Sequence, residues 1–356
     1  MCPNPLGARL VGRGGTVRAM TVRPDPRSLW RADELGGPAA VTVDIDFSGV
    51  TAAAQRLVAA GAGHLDVGPD DLPLGSAADA IAELDEEVMH GRGIRIVRGF
   101  PTDPAVAALV FWRVGLAIGE PVSQSVMGDR LGHVVDVTDV DPDARAYRRN
   151  EELTPHTDPG DVLAFLCLRP AAEGGANHFV SSMTMHEELR RHHPELLERH
   201  YLGWRHHRFG EQADGLEPIT PYRVPTYSVR EGVLSCRYLR QYVEIAHDED
   251  PEGCPLDATD RAALDALDAL GRHPELALEF TLQSGEAVFA NNFTVMHARH
   301  GFVDPSGAPK RHLLRLWISA HSPRPVLPET RLYPGEVGIA AQPGRTPSYQ
   351  TDVEIL

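Results

Sequence analysis

Apolar residues recur at helical spacing in the early part of the chain and at alternating or continuous spacing later on. Residues 39–47 carry Val41, Val43, Ile45 and Phe47 at every second position, which predicts a strand. Residues 77–90 read as an amphipathic helix closed by Gly91-Arg92-Gly93, and residues 94–98 as a strand stopped at Gly99-Phe100-Pro101. A second helix over 104–118 ends at Gly119-Glu120-Pro121. A short strand falls within 128–137, followed by a polar loop over 138–152. The apolar run 162–168 predicts a buried strand, and Gly174-Gly175 turns the chain into 177–182. A helix over 184–198 would bury Met185, Leu189, Leu196 and Leu197. Strands are predicted over 227–238, 276–282, 287–290 and 311–320, with helices over 239–246 and 258–271.

Helices come early and strands crowd the second half. This order predicts a mainly β protein, a sheet sandwich with flanking helices. Residues 1–75 are expected to form an irregular N-terminal segment, 76–325 the principal domain, and 326–356 a Pro-rich tail on the surface. With 356 residues and 42% hydrophobic content, a sizeable core is expected. The net charge of −16 argues against nucleic acid or anionic lipid as partner. The four cysteines have no CxxC pairing, which points to reduced thiols. No apolar run reaches membrane-spanning length, and no signal-peptide core stands out near the N-terminus. A cytoplasmic protein acting on a small molecule is expected; a homo-oligomer is compatible with all of this.

The candidate chemistry starts at Thr154-Pro155-His156-Thr157-Asp158. On a strand, residues i and i+2 share a face, so His156 and Asp158 can chelate one metal ion together. Asn291-Asn292-Phe293-Thr294-Val295-Met296-His297-Ala298-Arg299 offers another histidine after an apolar run, with His300 as its competitor. Two histidines and one carboxylate form the facial triad of non-haem Fe(II) oxygenases, which leaves three metal positions open. His192, His193, His206 and His207 form adjacent pairs whose rings diverge, and they are read as solvated. Downstream, Arg311 and Arg315 lie on an apolar strand. A buried guanidinium needs a partner. That partner is either a structural carboxylate or a small carboxylate ligand held by a bidentate fork. A metal hydrolase and a non-catalytic metal-binding barrel remain as rival readings of the triad.

Together, His156-Thr157-Asp158, Gly174-Gly175 through Ser182, Asn291 to Arg299 and Arg311 to Trp317 resemble the Fe(II)/2-oxoglutarate-dependent dioxygenases of the TauD/TfdA family. The likeness includes the clavaminate-synthase-like branch, is supported upstream by Gly91 to Pro101 and Gly119-Glu120-Pro121, and covers about residues 80–325. The resemblance implies a double-stranded β-helix (a cupin-like jelly roll) with the metal at one mouth. It implies His156, Asp158 and His297 as iron ligands, Arg311 on the distal carboxylate of 2-oxoglutarate, and Arg315 nearby. Asn177 stands where relatives of taurine dioxygenase place a co-substrate-contacting Thr. The implied reaction consumes O2 and 2-oxoglutarate, releases succinate and CO2, and hydroxylates, desaturates or cyclises the substrate. Halogenases of this broad class lack the carboxylate ligand, so Asp158 favours oxygenation. Gln124, Arg237 and Arg240 are expected to contact a small polar, amino-acid-like or specialised-metabolite substrate.

Overall fold

A computed structural model describes residues 22–141, 145–333, 335 and 337–344. Two sheets dominate it. The larger runs in the order Thr42–Asp44, Ile94–Arg98, Glu286–Asn291, Val162–Arg169, His312–Ala320 and Gly119–Pro121, with Gly132–Val134 also paired to His312–Ala320. The smaller runs Leu278–Phe280, Asn177–Ser181, Val295–Arg299, Leu153–His156. Among the described strands only Thr42–Asp44 and Ile94–Arg98 pair in parallel.

Side-chain alternation assigns the faces. Along His312–Ala320, Leu314, Leu316, Ile318 and Ala320 pack outward against the helices Ser48–Ala59, Ala78–His90 and Pro104–Ile118. Leu313 turns the other way and meets Phe179 and Val295 of the smaller sheet. The outer face of that sheet presents Val180 and Met296 to a separate core, built with Ser182–His192, Pro194–Leu202 and Ala258–Gly271. The space between the sheets therefore receives every second residue of four central strands.

Three of the described α-helices start at side-chain caps. Asp103 accepts a hydrogen bond from the Val106 amide at 3.0 Å ahead of Pro104, and Ser181 accepts from Thr184 at 3.0 Å. The helix expected over 184–198 is instead two, because Pro194 has no N–H to continue the ladder and starts a new helix. More described residues lie in helices than in strands, so the architecture is mixed rather than mainly β.

Residues 1–21, expected to be irregular, lie outside the described residues. From residue 22 onward the N-terminal segment is structured: the helix Ser48–Ala59 buries Val50 and Ala54 in the main core. Its apolar stripe is largely Ala and Val, which gives little contrast to a periodicity reading. The strand expected over 39–47 shrinks to Thr42–Asp44 behind a short turn of helix, Pro38–Val41. His206 is buried rather than solvated, with its ring Nδ1–H donating to the Trp204 carbonyl at 3.0 Å. Beyond residue 325 the chain seats Val326, Leu332, Tyr333 and Ile339 in buried positions; residues 345–356 lie outside the described residues. No described helix is long and apolar enough to cross a membrane.

Candidate active site

His156 and His297 meet because Leu153–His156 and Val295–Arg299 are antiparallel neighbours that pair these two residues directly. Their rings lie 4.2 Å apart. Asp158, two residues beyond His156, brings its carboxylate to 3.9 Å from His156 Nε2 and 3.8 Å from His297 Nε2. One ligand atom from each of the three falls within 4.8 Å of the others.

Surrounding groups orient His156 and Asp158. The Thr154 carbonyl accepts from His156 Nδ1–H at 2.7 Å, which leaves the Nε2 lone pair free for a metal. Trp317 Nε1–H donates to Asp158 Oδ2 at 2.8 Å, and the Asp158 amide donates to Asn292 Oδ1 at 3.1 Å. Burial opposes charge on Asp158, but the Arg315 guanidinium and the two imidazoles hold its carboxyl below the usual range. Burial and the neighbouring His156 push His297 down to about 3. The site thus holds an ionised carboxylate and a neutral imidazole, the protonation states a divalent metal requires. The donor set fits iron.

Beside the triad lies a pocket whose walls include Phe165, Phe179, Leu313 and Asn177. Arg311 forms part of its wall. Its Nη1 is buried without a hydrogen-bond partner, and among the described residues no carboxylate lies within ion-pair distance. Burial pushes its guanidinium down to about 10. Arg299 lines the same pocket with Nε and Nη1 also unpartnered, and burial pushes it down to about 9. Phe302 stacks against both, 4.9 Å from Arg299 and 5.1 Å from Arg311. Gly175, at φ +69°, keeps this corner open, since a Cβ there would come within 3.4 Å of Arg311 Nε. An anionic ligand next to the metal would satisfy two buried cations, so the pocket fits a dicarboxylate co-substrate.

The family model described as "Taurine catabolism dioxygenase TauD, TfdA family" matches residues 58–317. The chain belongs to the TauD/TfdA family. It is an Fe(II)- and 2-oxoglutarate-dependent oxygenase, as proteins of that family are. It is 31% identical over 318 residues to the FR-33289 synthase of Streptomyces rubellomurinus, spanning 84% of this chain and 91% of that protein. Among solved structures it is similar to an asparagine oxygenase bound to Fe(II), 2S,3S-3-hydroxyasparagine and succinate (TM-score 0.58, 18% identity, 78% of this chain and 93% of that one). It is also similar to the non-haem iron oxygenase OrfP bound to Fe and alpha-ketoglutaric acid (TM-score 0.57, 17% identity, with the same coverage of 78% and 93%).

Against this TauD/TfdA background, the remaining residues expected at the site divide sharply. Arg315 is at the centre: it lies 3.8 Å from Asp158 Oδ2, stacks on Tyr147 and Trp317, and faces both the inner pocket and the wider mouth. Its carboxylate partner is thus Asp158 of the candidate triad. Asn177 lines the inner pocket and donates to the Phe280 carbonyl at 3.3 Å. Gln124 does not reach the cavity. It is buried behind Arg315, accepting from Arg315 Nε at 2.6 Å and donating to the Arg315 carbonyl at 2.9 Å. Arg237 is likewise buried behind the loop that carries Asp158, where it donates to the Asp158 and Pro159 carbonyls and stacks on Phe293. Arg240 does border the mouth, but Glu244, Asp265 and Asp268 hold its guanidinium at 2.7, 2.8 and 2.9 Å. His300 points away from the triad and joins His178 on the other face of the sheet.

Other residues of the site escaped the sequence reading. Arg299 was legible in principle, because it lies two residues from His297 and shares its face. Arg145, Tyr147 and Phe209 line the mouth from segments with no periodicity or motif to mark them, beside Tyr242 of the stretch 235–242 that the sequence does offer for substrate contact. Arg145 pairs there with Glu211 at 2.8 Å and reaches the Tyr242 hydroxyl at 3.3 Å.

Proposed function

We propose that this oxygenase holds Fe(II) with His156, Asp158 and His297, and anchors the distal carboxylate of 2-oxoglutarate with Arg311. Its substrate is a small polar, amino-acid-like or specialised-metabolite molecule, which it hydroxylates, desaturates or cyclises in the cytoplasm. The two facing sheets are read as a double-stranded β-helix with the metal between them. The observation that carries the co-substrate assignment is Arg311: a buried guanidinium with an unpartnered Nη1, in the same pocket as the triad. Leaving it without an anion would be costly. A hydrolase using the same triad has no need of such a group.

When bound, the iron and the keto acid supply the redox chemistry that couples O2 consumption and decarboxylation to succinate with oxidation of the substrate. The chain's own residues bind, orient and exclude. The Thr154 carbonyl fixes the His156 ring, and Trp317 and Asn292 fix Asp158. Phe165, Phe179 and Leu313 keep water from the inner pocket, where the Arg311 charge is then least screened. Arg315, pinned by Gln124, stands between the co-substrate side and the mouth. The mouth mixes the aromatic rings of Tyr147, Phe209, Tyr242 and Trp317 with Arg145 and Arg315, which suits a substrate bearing several polar groups. Relatives named for hydroxyasparagine and for FR-33289 support this substrate class.

The test is a screen of amino acids and related metabolites with Fe(II) and 2-oxoglutarate, reading succinate release and product mass with and without O2. Oxygen-dependent succinate formation coupled to an oxidised product is expected. Full product formation under strict anaerobiosis would overturn the oxygenase reading.

A further inference from the structure

His300, the sequence competitor of His297, is not idle in the structure. The sheet Leu278–Phe280, Asn177–Ser181, Val295–Arg299 turns His297 inward, and His300 follows just past the strand end on the opposite side. There it meets His178, whose neighbours in the sheet are Ala298 on one side and Glu279 on the other. His178 Nε2 and His300 Nε2 are 2.7 Å apart, with the rings at 85°. Glu279 Oε2 is 3.2 Å from His178 Nε2 and 4.0 Å from His300 Nε2. Among the described residues this is the one further group of three ligating side chains with atoms within 4.8 Å of one another.

We propose that His178, Glu279 and His300 form a second metal site, distinct from the iron triad, that takes a borderline divalent transition-metal ion such as Zn(II). The chemistry of the donors selects the ion: two imidazoles and one carboxylate suit Zn(II), Co(II) or Ni(II), whereas Mg(II) and Ca(II) prefer all-oxygen sets. The spacing also suits it. Metal–ligand bonds of about 2.0–2.2 Å in a tetrahedron put ligand atoms roughly 3.3 Å apart, and the three separations here bracket that value. Both imidazoles already turn Nε2 to a common point, which an ion would occupy in place of the nitrogen–nitrogen contact. The fourth position opens to solvent, since Glu279 and His300 side chains are 56% and 51% exposed.

Such an ion would tie the edge strand Leu278–Phe280 to Asn177–Ser181 and to the end of Val295–Arg299. The site backs onto the inner pocket through the same sheet, because His178 lies between Asn177 and Phe179, which face that pocket. The expected role is structural: a clamp on the outer face of the sheet that carries His297.

The experiment measures Zn(II) per chain by equilibrium dialysis and metal analysis, together with Tm. The full chain carrying His156→Ala and His297→Ala should retain one Zn(II) and gain thermal stability on adding it. Introducing His178→Ala and His300→Ala into that background should remove both the ion and the Tm increase. Glu279→Gln should weaken binding by at least about 10-fold, the scale on which even outer-shell partners of metal ligands act. On the otherwise native chain, His178→Ala with His300→Ala should reduce the bound Zn(II) from two ions to one, a readout that does not depend on the triad variants folding. An unchanged stoichiometry, or a bound ion that survives loss of both outer histidines, would overturn the second site. Neither outcome bears on the iron triad.

Discussion

His297 and His300 show how three residues of separation decide a role. His297 faces the pocket between the sheets and His300 the outer surface. His156→Ala or His297→Ala is therefore expected to abolish Fe(II)-dependent turnover with the fold retained, whereas His300→Ala leaves turnover near the native level. Fe(II) titration and succinate release on the three variants check this, and loss of activity only in the His300 variant would reverse the ligand assignment. Arg311 offers a second comparison. Replacing it by Met should raise the KM for 2-oxoglutarate by about 10-fold or more, from loss of a charge-assisted bidentate contact of roughly 1.5–3 kcal/mol. A folded Arg311→Met protein with unchanged KM would remove the main support for the co-substrate pocket. That His156, Asp158, His297 and Arg311 share one site is legible in the sequence, because a candidate metal-binding triplet and a cation on an apolar strand are local patterns. Gln124 and Arg237 were misplaced for a complementary reason. A polar residue in a promising stretch can serve a backbone carbonyl or another side chain as easily as a ligand, and only packing tells which.

The turn between Glu286–Asn291 and Val295–Arg299 does more than connect strands. Asn292 bridges it to the loop that carries Asp158, accepting from the Asp158 amide and donating to the Gly160 carbonyl at 3.0 Å. Asn292→Ala should weaken Fe(II) binding by about 10- to 100-fold, as loss of an outer-shell partner does, while His156 and His297 stay in place on their strands. Fe(II) titration with circular dichroism as a fold control checks it; native affinity in Asn292→Ala would show that the strands alone position Asp158. Element type was legible wherever periodicity was strong, as in Pro104–Ile118 and His312–Ala320. It failed where apolar contrast was low, as in the Ala-rich helix Ser48–Ala59, and where one proline divided a continuous pattern, at Pro194.

The whole molecule carries fully buried histidines that the site does not use, and they set its response to acid. Burial pushes His200 and His206 down to about 4. Both are neutral when folded and protonate near 6.5 when unfolded, so below that pH the unfolded state binds more protons. Their stabilisation is complete above about pH 6.5 and is lost as pH falls towards 4, at up to about 1.4 kcal/mol per pH unit for each. Denaturant unfolding between pH 7 and 4 should show this slope, and His206→Gln should reduce it; a slope identical in that variant would assign the acid sensitivity elsewhere. The family, the candidate iron ligands and Arg311 as the candidate co-substrate anchor were readable from the chain alone, because each rests on residue type at short spacing. The tertiary structure decided which guanidinium nitrogens the pocket leaves unpartnered, and that Arg299 and Phe302 join Arg311 there. It also paired Arg145 of the mouth with the buried Glu211, and brought His178, Glu279 and His300 together on the far side of the sheet. These groupings join positions far apart in sequence, and strand register and helix packing, rather than any local pattern, bring them into contact.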